Sequence, residues 1–175
     1  MTKEKPLHHV VLIGFMGTGK STVSKQLAEL LKCGTADIDA EIVRREGQAI
    51  ADIFAARGEA DFRLAETAAL AEVLGSSDPL VIATGGGAVL SERNRAMMLQ
   101  DSFVVALTAD PEQIIARVSE DAARPLLQGD VRERVYKLLE DRKHAYAFAH
   151  LTVDTSDLSV RQVVELIEHG IKMRF

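Results

Sequence analysis

The segment Gly14-Phe15-Met16-Gly17-Thr18-Gly19-Lys20-Ser21 fills every fixed position of the pattern G-x-x-x-x-G-K-[ST]. Such a loop works only between a strand and a helix, so it dictates architecture as well as chemistry. Both neighbours are legible. Val10–Phe15 is a short apolar run rich in β-branched residues, which predicts a buried strand. From Lys20 to Leu31, the residues Val23, Leu27, Ala28, Leu30 and Leu31 recur at helical spacing. Glycines let successive backbone N–H groups turn toward one anion, and the helix that follows adds unpaired N–H groups and the positive end of its dipole. Gly14, Met16, Gly17, Thr18, Gly19, Lys20, Ser21 and Thr22 are therefore the candidate nucleotide contacts. Lys20 is placed to reach the β- and γ-phosphates of a nucleoside triphosphate, and the Ser21 hydroxyl to ligate Mg²⁺.

The rest of the chain repeats the strand–helix alternation. Strands are expected at Thr35–Ile38, Leu80–Ala83, Phe103–Leu107 and Leu151–Val153. Helices are expected near Ala40–Ala56 (broken at Gly47), Ala60–Leu74, Ser91–Leu99, from Asp110-Pro111, Arg132–Phe148 and Val160–His169. Ser91 is a candidate N-cap, and Pro111 suits a first helical turn. Glu120–Asp130 is charged, carries Pro125 and Gly129, and reads as a loop. Apolar strands alternating with helices predict an α/β fold, a parallel sheet covered on both faces. Within that frame two further segments fall at strand ends, where ligands gather in open parallel sheets. Asp37-Ile38-Asp39 ends the second strand, and its carboxylates face one side of an extended segment. Asp39 also has a structural reading, as N-cap of a helix beginning at Ala40. Thr84-Gly85-Gly86-Gly87 ends the third strand and admits a ligand up to the backbone. Val81-Ile82-Ala83 leads into Thr84 rather than Asp, so the acidic second motif of GTPases and motor ATPases is missing.

Composition excludes several partners. With 21 basic and 26 acidic residues and no basic stripe, nucleic-acid binding has little electrostatic support. No apolar run is long enough to span a bilayer, and Met1 to His9 is polar without a signal-peptide apolar region. The single Cys33 cannot form an internal disulfide and reads as a small apolar residue after the first helix. A cytoplasmic domain with no membrane partner is the expectation. His8, His9, His144, His150 and His169 show no metal-ligand spacing.

The phosphate loop, Asp37-Ile38-Asp39, Thr84-Gly85-Gly86-Gly87, the cluster Gly58-Glu59, Phe62-Arg63 and Glu66, then Arg124-Pro125-Leu126-Leu127 and Arg142 with Tyr146, together resemble the shikimate kinase family from Val10 to Leu166. The resemblance implies one three-layer α/β/α domain over residues 1–175, with a five-stranded parallel sheet of order 2-3-1-4-5 and a P-loop kinase architecture. It implies substrate-binding helices at about 39–75 and a lid at about 119–130. It implies ATP-dependent phosphorylation of the shikimate 3-hydroxyl, on the route to chorismate and aromatic amino acids, by a monomer using Mg²⁺. Lys20, Asp39 and Arg124 become the catalytic candidates, and Ser21 with Asp37 the metal side. Asp39, Arg63, Glu66, Gly85, Gly86, Gly87 and Arg142 become the shikimate contacts. Arg117 is a candidate for stacking on adenine or a plain surface arginine. Read alone, Arg63 and Arg142 would be solvated helix faces; the family pattern makes them a carboxylate clamp. The chain departs from that pattern after Arg142, where His144, Ala147 and Phe148 replace a proline and acidic residues. Without that proline the helix is expected to continue. The rival readings are a kinase for gluconate or another small polyol, and a noncatalytic nucleotide-binding relative.

Overall fold

A computed structural model of the chain describes residues 8–119 and 130–174. The first strand, His9–Gly14 (β1), runs through the phosphate loop into Lys20–Leu31 (α1). Gly34–Asp37 (β2), Ile38–Glu46 (α2) and Ile50–Leu74 (α3) follow, then Leu80–Ala83 (β3) and a 3₁₀ turn at Ala88–Leu90. Glu92–Asp101 (α4), Ser102–Thr108 (β4), Pro111–Val118 (α5), Val131–Arg142 (α6), Leu151–Asp154 (β5) and Val160–Arg174 (α7) complete the chain. The strands pair in parallel in the order β2-β3-β1-β4-β5.

Strand alternation builds the three layers. Val11 and Ile13 of β1 face one side, where they meet Ile42, Ile53, Leu70 and Met98 from α2, α3 and α4. Val10 and Leu12 face the other, against Val23 and Leu27 of α1 and Val163 and Ile167 of α7. Ile82 and Val81 of β3 divide in the same way. Each fully buried Leu or Ile contributes roughly 1.5–3 kcal/mol. A third cluster, Phe15, Met16, Ile114, Val118 and Val135, fixes the phosphate loop against α5 and α6.

Register then aligns the strand ends. Leu12 pairs with Ala83 across β1–β3, and Asp37 pairs with Ala83 across β2–β3. The segment after β3 therefore emerges between the phosphate loop and Asp37. Thr84 is stapled there, its backbone N–H and its hydroxyl both donating to the Leu12 carbonyl at 3.1 and 2.9 Å.

Two local expectations are corrected. Asp39 is not on an extended segment and does not cap the helix. Asp37 is the N-cap, its side chain accepting from the Ala40 N–H at 3.1 Å, and Asp39 lies in the first turn of α2. Helix α6 does not reach Phe148 but ends at Arg142 even without proline. Beyond it a series of three-residue turns takes over, with the N–H groups of Ala145, Ala147 and Ala149 donating to Arg142, His144 and Tyr146 carbonyls. The His150 N–H bond to the Val104 carbonyl at 2.8 Å draws this stretch onto β4. The predicted helix breaks at Gly47 and near Gly58 are present, each glycine having positive φ. Among the described residues no helix is long and apolar enough to cross a membrane.

Candidate active site

A cavity of 380 Å³ opens at the C-terminal end of the sheet. Met16 through Thr22 line one side, Asp37 and Asp39 a second, and Thr84, Gly85 and Gly86 the floor between them. The phosphate loop needs its glycines for conformation. Gly14 has φ 145, and a Cβ there would lie 2.3 Å from the Leu107 carbonyl oxygen, so only glycine fits. Lys20 Nζ donates to the carbonyls of Gly14 and Phe15 at 2.7 and 2.9 Å, folded back along its own loop. Thr18 Oγ1 closes the loop on the Phe15 carbonyl at 2.8 Å.

Ser21 Oγ donates to Asp37 Oδ2 at 3.0 Å. The first turn of α1 and the end of β2 thus meet through a hydroxyl and a carboxylate, both hard oxygen donors. That set fits Mg²⁺, which takes one or two protein oxygens and leaves its other positions to water and phosphate oxygens.

The triple glycine needs room rather than special conformation. A Cβ on Gly85 would stand 3.0 Å from Asp39 Oδ1 and 3.1 Å from Glu66 Oε2. On Gly86 it would stand 3.3 Å from the Met16 nitrogen and 3.4 Å from Arg142 Nη1, and on Gly87 2.3 Å from Arg63 Nη2. Asp39, Glu66, Arg63 and Arg142, from three separate helices, therefore converge on one stretch of bare backbone. Arg63, Glu66 and Arg142 are absent from the lining of the 380 Å³ cavity and form a cradle beyond its glycine floor.

The cradle's charges are buried and incompletely paired. Glu66 is 1% exposed and Arg142 3%. Arg63 Nη1 donates to Glu66 Oε1 at 2.9 Å, and its Nη2 reaches Glu59 Oε1 at 3.3 Å. Burial pushes the Glu66 carboxyl above its ordinary pKa; the Arg63 guanidinium opposes this and the Asp39 carboxylate adds to it. Arg63 Nε, Glu66 Oε2 and Arg142 Nη1 have no hydrogen-bond partner. Two donors and one acceptor are thus held ready in a dry wall. Arg142 also lies over the Phe15 ring, 5.8 Å from its centroid. The substitutions His144, Ala147 and Phe148 do not turn Arg142 outward. Phe148 packs with Ala145, Tyr146 and Ala149 on the same hydrophobic cluster as α3.

Arg117 lines the cavity and donates to the Gly17 carbonyl at 2.7 Å, latching α5 onto the phosphate loop. Arg124 and nearly all of the expected lid lie outside the described residues. Thr155, Leu158, Val160 and Val163 also line the cavity and were not singled out from sequence. Their signal was available, since they follow the end of β5 in an open parallel sheet.

A family profile described as Shikimate kinase matches residues 16–172. A shikimate kinase from Pelotomaculum thermopropionicum is 45% identical over 95% of this chain and 96% of its own length. The solved shikimate kinase from Acinetobacter baumannii in complex with shikimate superposes with a TM-score of 0.92 at 37% identity, covering 97% of this chain and 95% of that one. A gluconokinase from Sinorhizobium meliloti has a TM-score of 0.64 at 18% identity over 97% of this chain and 94% of its own, which speaks to the fold alone. The matched residues 16–172 span the loop from Met16 onward, the carboxylate segment, the glycine floor and the arginine cradle, and this chain belongs to the shikimate kinase family.

Proposed function

We propose that this chain transfers the γ-phosphoryl group of ATP to the 3-hydroxyl of shikimate. Membership of the family makes it an ATP-dependent phosphotransferase with an alcohol as acceptor. The observation that carries the acceptor is the cradle: buried Arg63 Nε, Glu66 Oε2 and Arg142 Nη1, unpartnered and gathered at Gly85–Gly87. A rigid acid bearing one carboxylate and several hydroxyls supplies what those atoms lack.

In this reading the backbone N–H groups from Met16 to Thr22 hold the phosphates, with Gly14 giving the loop its turn. Lys20 exchanges its two loop carbonyls for phosphate oxygens, so the ordered ammonium is already beside its target. Ser21 and Asp37 would hold Mg²⁺, which would neutralise phosphate charge. Asp39, at the junction of cavity and cradle, accepts a hydrogen bond from the 3-hydroxyl and receives its proton as the oxygen attacks the γ-phosphorus. The bond between that phosphorus and its bridging oxygen breaks, and ADP leaves. Arg63 and Arg142 grip the acceptor carboxylate in two-pronged fashion, and Glu66 orients Arg63. Arg124 offsets the charge that develops on the transferring phosphoryl group, and Arg117 flanks the adenine. Most of the rate enhancement comes from positioning and charge stabilisation, because phosphoryl transfer demands little covalent chemistry of the protein. A single kinase domain suffices for all of these parts.

A coupled ADP-release assay with Mg²⁺ and ATP tests this, comparing shikimate with gluconate and a nucleoside monophosphate. Release that depends on shikimate and is negligible with the others is expected. Equal or greater turnover with gluconate would overturn the acceptor assignment.

A further inference from the structure

We propose that Tyr146 is a positioning residue for the acceptor, acting through the backbone of the glycine floor; this rests on the kinase reading above and adds a residue to it. The Tyr146 hydroxyl donates to the Gly86 carbonyl at 2.8 Å. The Gly86–Gly87 peptide is the middle of a turn closed by the Ala88 N–H on the Gly85 carbonyl at 3.1 Å, and with glycine at both central positions no Cβ resists a flip of that peptide. In a planar trans peptide the carbonyl of one residue and the N–H of the next point in opposite directions. Holding the Gly86 carbonyl on Tyr146 therefore aims the Gly87 N–H away from Tyr146. The N–H groups of Gly85, Gly86 and Gly87 donate to no backbone carbonyl among the described residues.

Neighbouring carbonyls on the same segment are held too. Asn94 Nδ2 donates to the Ala88 carbonyl at 2.9 Å and Arg95 Nη1 to the Val89 carbonyl at 2.6 Å. These fix the 3₁₀ turn, while Tyr146 alone among side chains reaches the triple glycine's own backbone carbonyls in the described residues. Tyr146 is anchored in turn. Its ring packs with Phe148 on the α3-side cluster, and two residues beyond Phe148 the His150 N–H is tied to β4. It also lies one turn past Arg142, whose Nη1 stands beside Gly86. One side chain thus sets a floor donor while the segment that carries it holds one arm of the carboxylate clamp.

Tyr146→Phe removes the hydroxyl and keeps the ring. The KM for shikimate should rise about two- to tenfold, the worth of one neutral hydrogen bond. The KM for ATP and the melting temperature should stay near wild type. The ¹⁵N order parameter of the Gly87 amide, measured by NMR on the ligand-free protein, should fall as the peptide gains freedom. A shikimate KM identical to wild type would overturn the proposal, as would equal rises in both KM values with a lowered melting temperature, the mark of general loosening. That order parameter needs no substrate, so an unchanged value sinks the peptide clamp by itself. Wild-type protein that fails to phosphorylate shikimate would instead sink the kinase reading.

Discussion

The two ends of the sheet treat buried polar groups in opposite ways. At the N-terminal end, His9 Nδ1 accepts the Leu80 N–H at 3.1 Å and His150 Nδ1 accepts the Val104 N–H at 2.9 Å. With Nδ1 an acceptor, the His9 ring proton sits on Nε2, which meets the Leu74 carbonyl at 3.1 Å. Those imidazoles finish the backbone ladder. At the C-terminal end, Arg63 Nε, Glu66 Oε2 and Arg142 Nη1 are buried and finish nothing. Each such group costs about 1–3 kcal/mol, and three of them converge here on one stretch of backbone. Among the described residues, Ser102 Oγ, unpartnered at the start of β4, and Asn94 Oδ1, behind the glycine floor, are the other two such atoms, and neither faces a set of converging charges. Stability and function are therefore separated along the strands, as expected for an open parallel sheet.

Substitutions can break that contrast in graded steps. Lys20→Ala and Asp39→Asn act at the site end and should each lower turnover about 10²–10³-fold, read in the ADP-release assay. Their melting temperatures should stay near wild type; a collapse of both would make the loop structural rather than catalytic. Arg63→Ala should raise the KM for shikimate roughly 10- to 100-fold and that for ATP far less. Equal rises would dissolve the carboxylate clamp.

Glu66→Gln sharpens the comparison through pH. The folded Glu66 carboxyl is raised by burial, so its contribution to stability is full below the ordinary carboxylate pKa and declines as pH rises through the folded value. Melting curves from about pH 4 to 8 should show the variant gaining on wild type with rising pH, by about 2–4 °C for each 1 kcal/mol. A constant difference would show that Glu66 does not titrate as its burial demands. The opposite trend belongs to the other end. His9 and His150 are both lowered, chiefly by burial, with His8 beside His9 and Arg174 near His150 acting in the same direction and Asp101 opposing at His9. Their contribution is full above the ordinary histidine pKa of about 6.5 and is lost as pH falls through the lowered values. A small drop in melting temperature below about pH 6.5 should flatten in His150→Gln; an unaltered slope would assign the drop elsewhere.

The phosphate loop was fully legible because its residues are contiguous and its spacing is dictated by one anion. The strands were legible because Val10 to Ile13 are apolar on both faces, as a sheet covered on two sides requires. The cradle was not legible from pattern. Arg63 and Glu66 are separated from Gly85 by a helix and a strand, and Arg142 comes from the far side of the sheet order. Only the family likeness brought them together in the sequence, and the structure places them around one backbone stretch. Asp37 and Asp39 were assigned to the right place through the wrong conformation, since a helix begins at Ile38 and turns Asp39 toward Gly85. The end of α6 was misjudged because a missing proline permits a helix without requiring one. Tertiary bonds from His150 and Tyr146 decide that turn, and nothing local announces them.

The proposed pairing of the site-end atoms with the acceptor's carboxylate and hydroxyls is tested most directly by calorimetric titration of shikimate into wild-type protein and Arg142→Ala. Saturable binding by the wild type, weakened at least about tenfold in a variant that folds normally, is the expected result. Equal affinity in both proteins, or no binding to either with Mg²⁺ and ADP present, would contradict it.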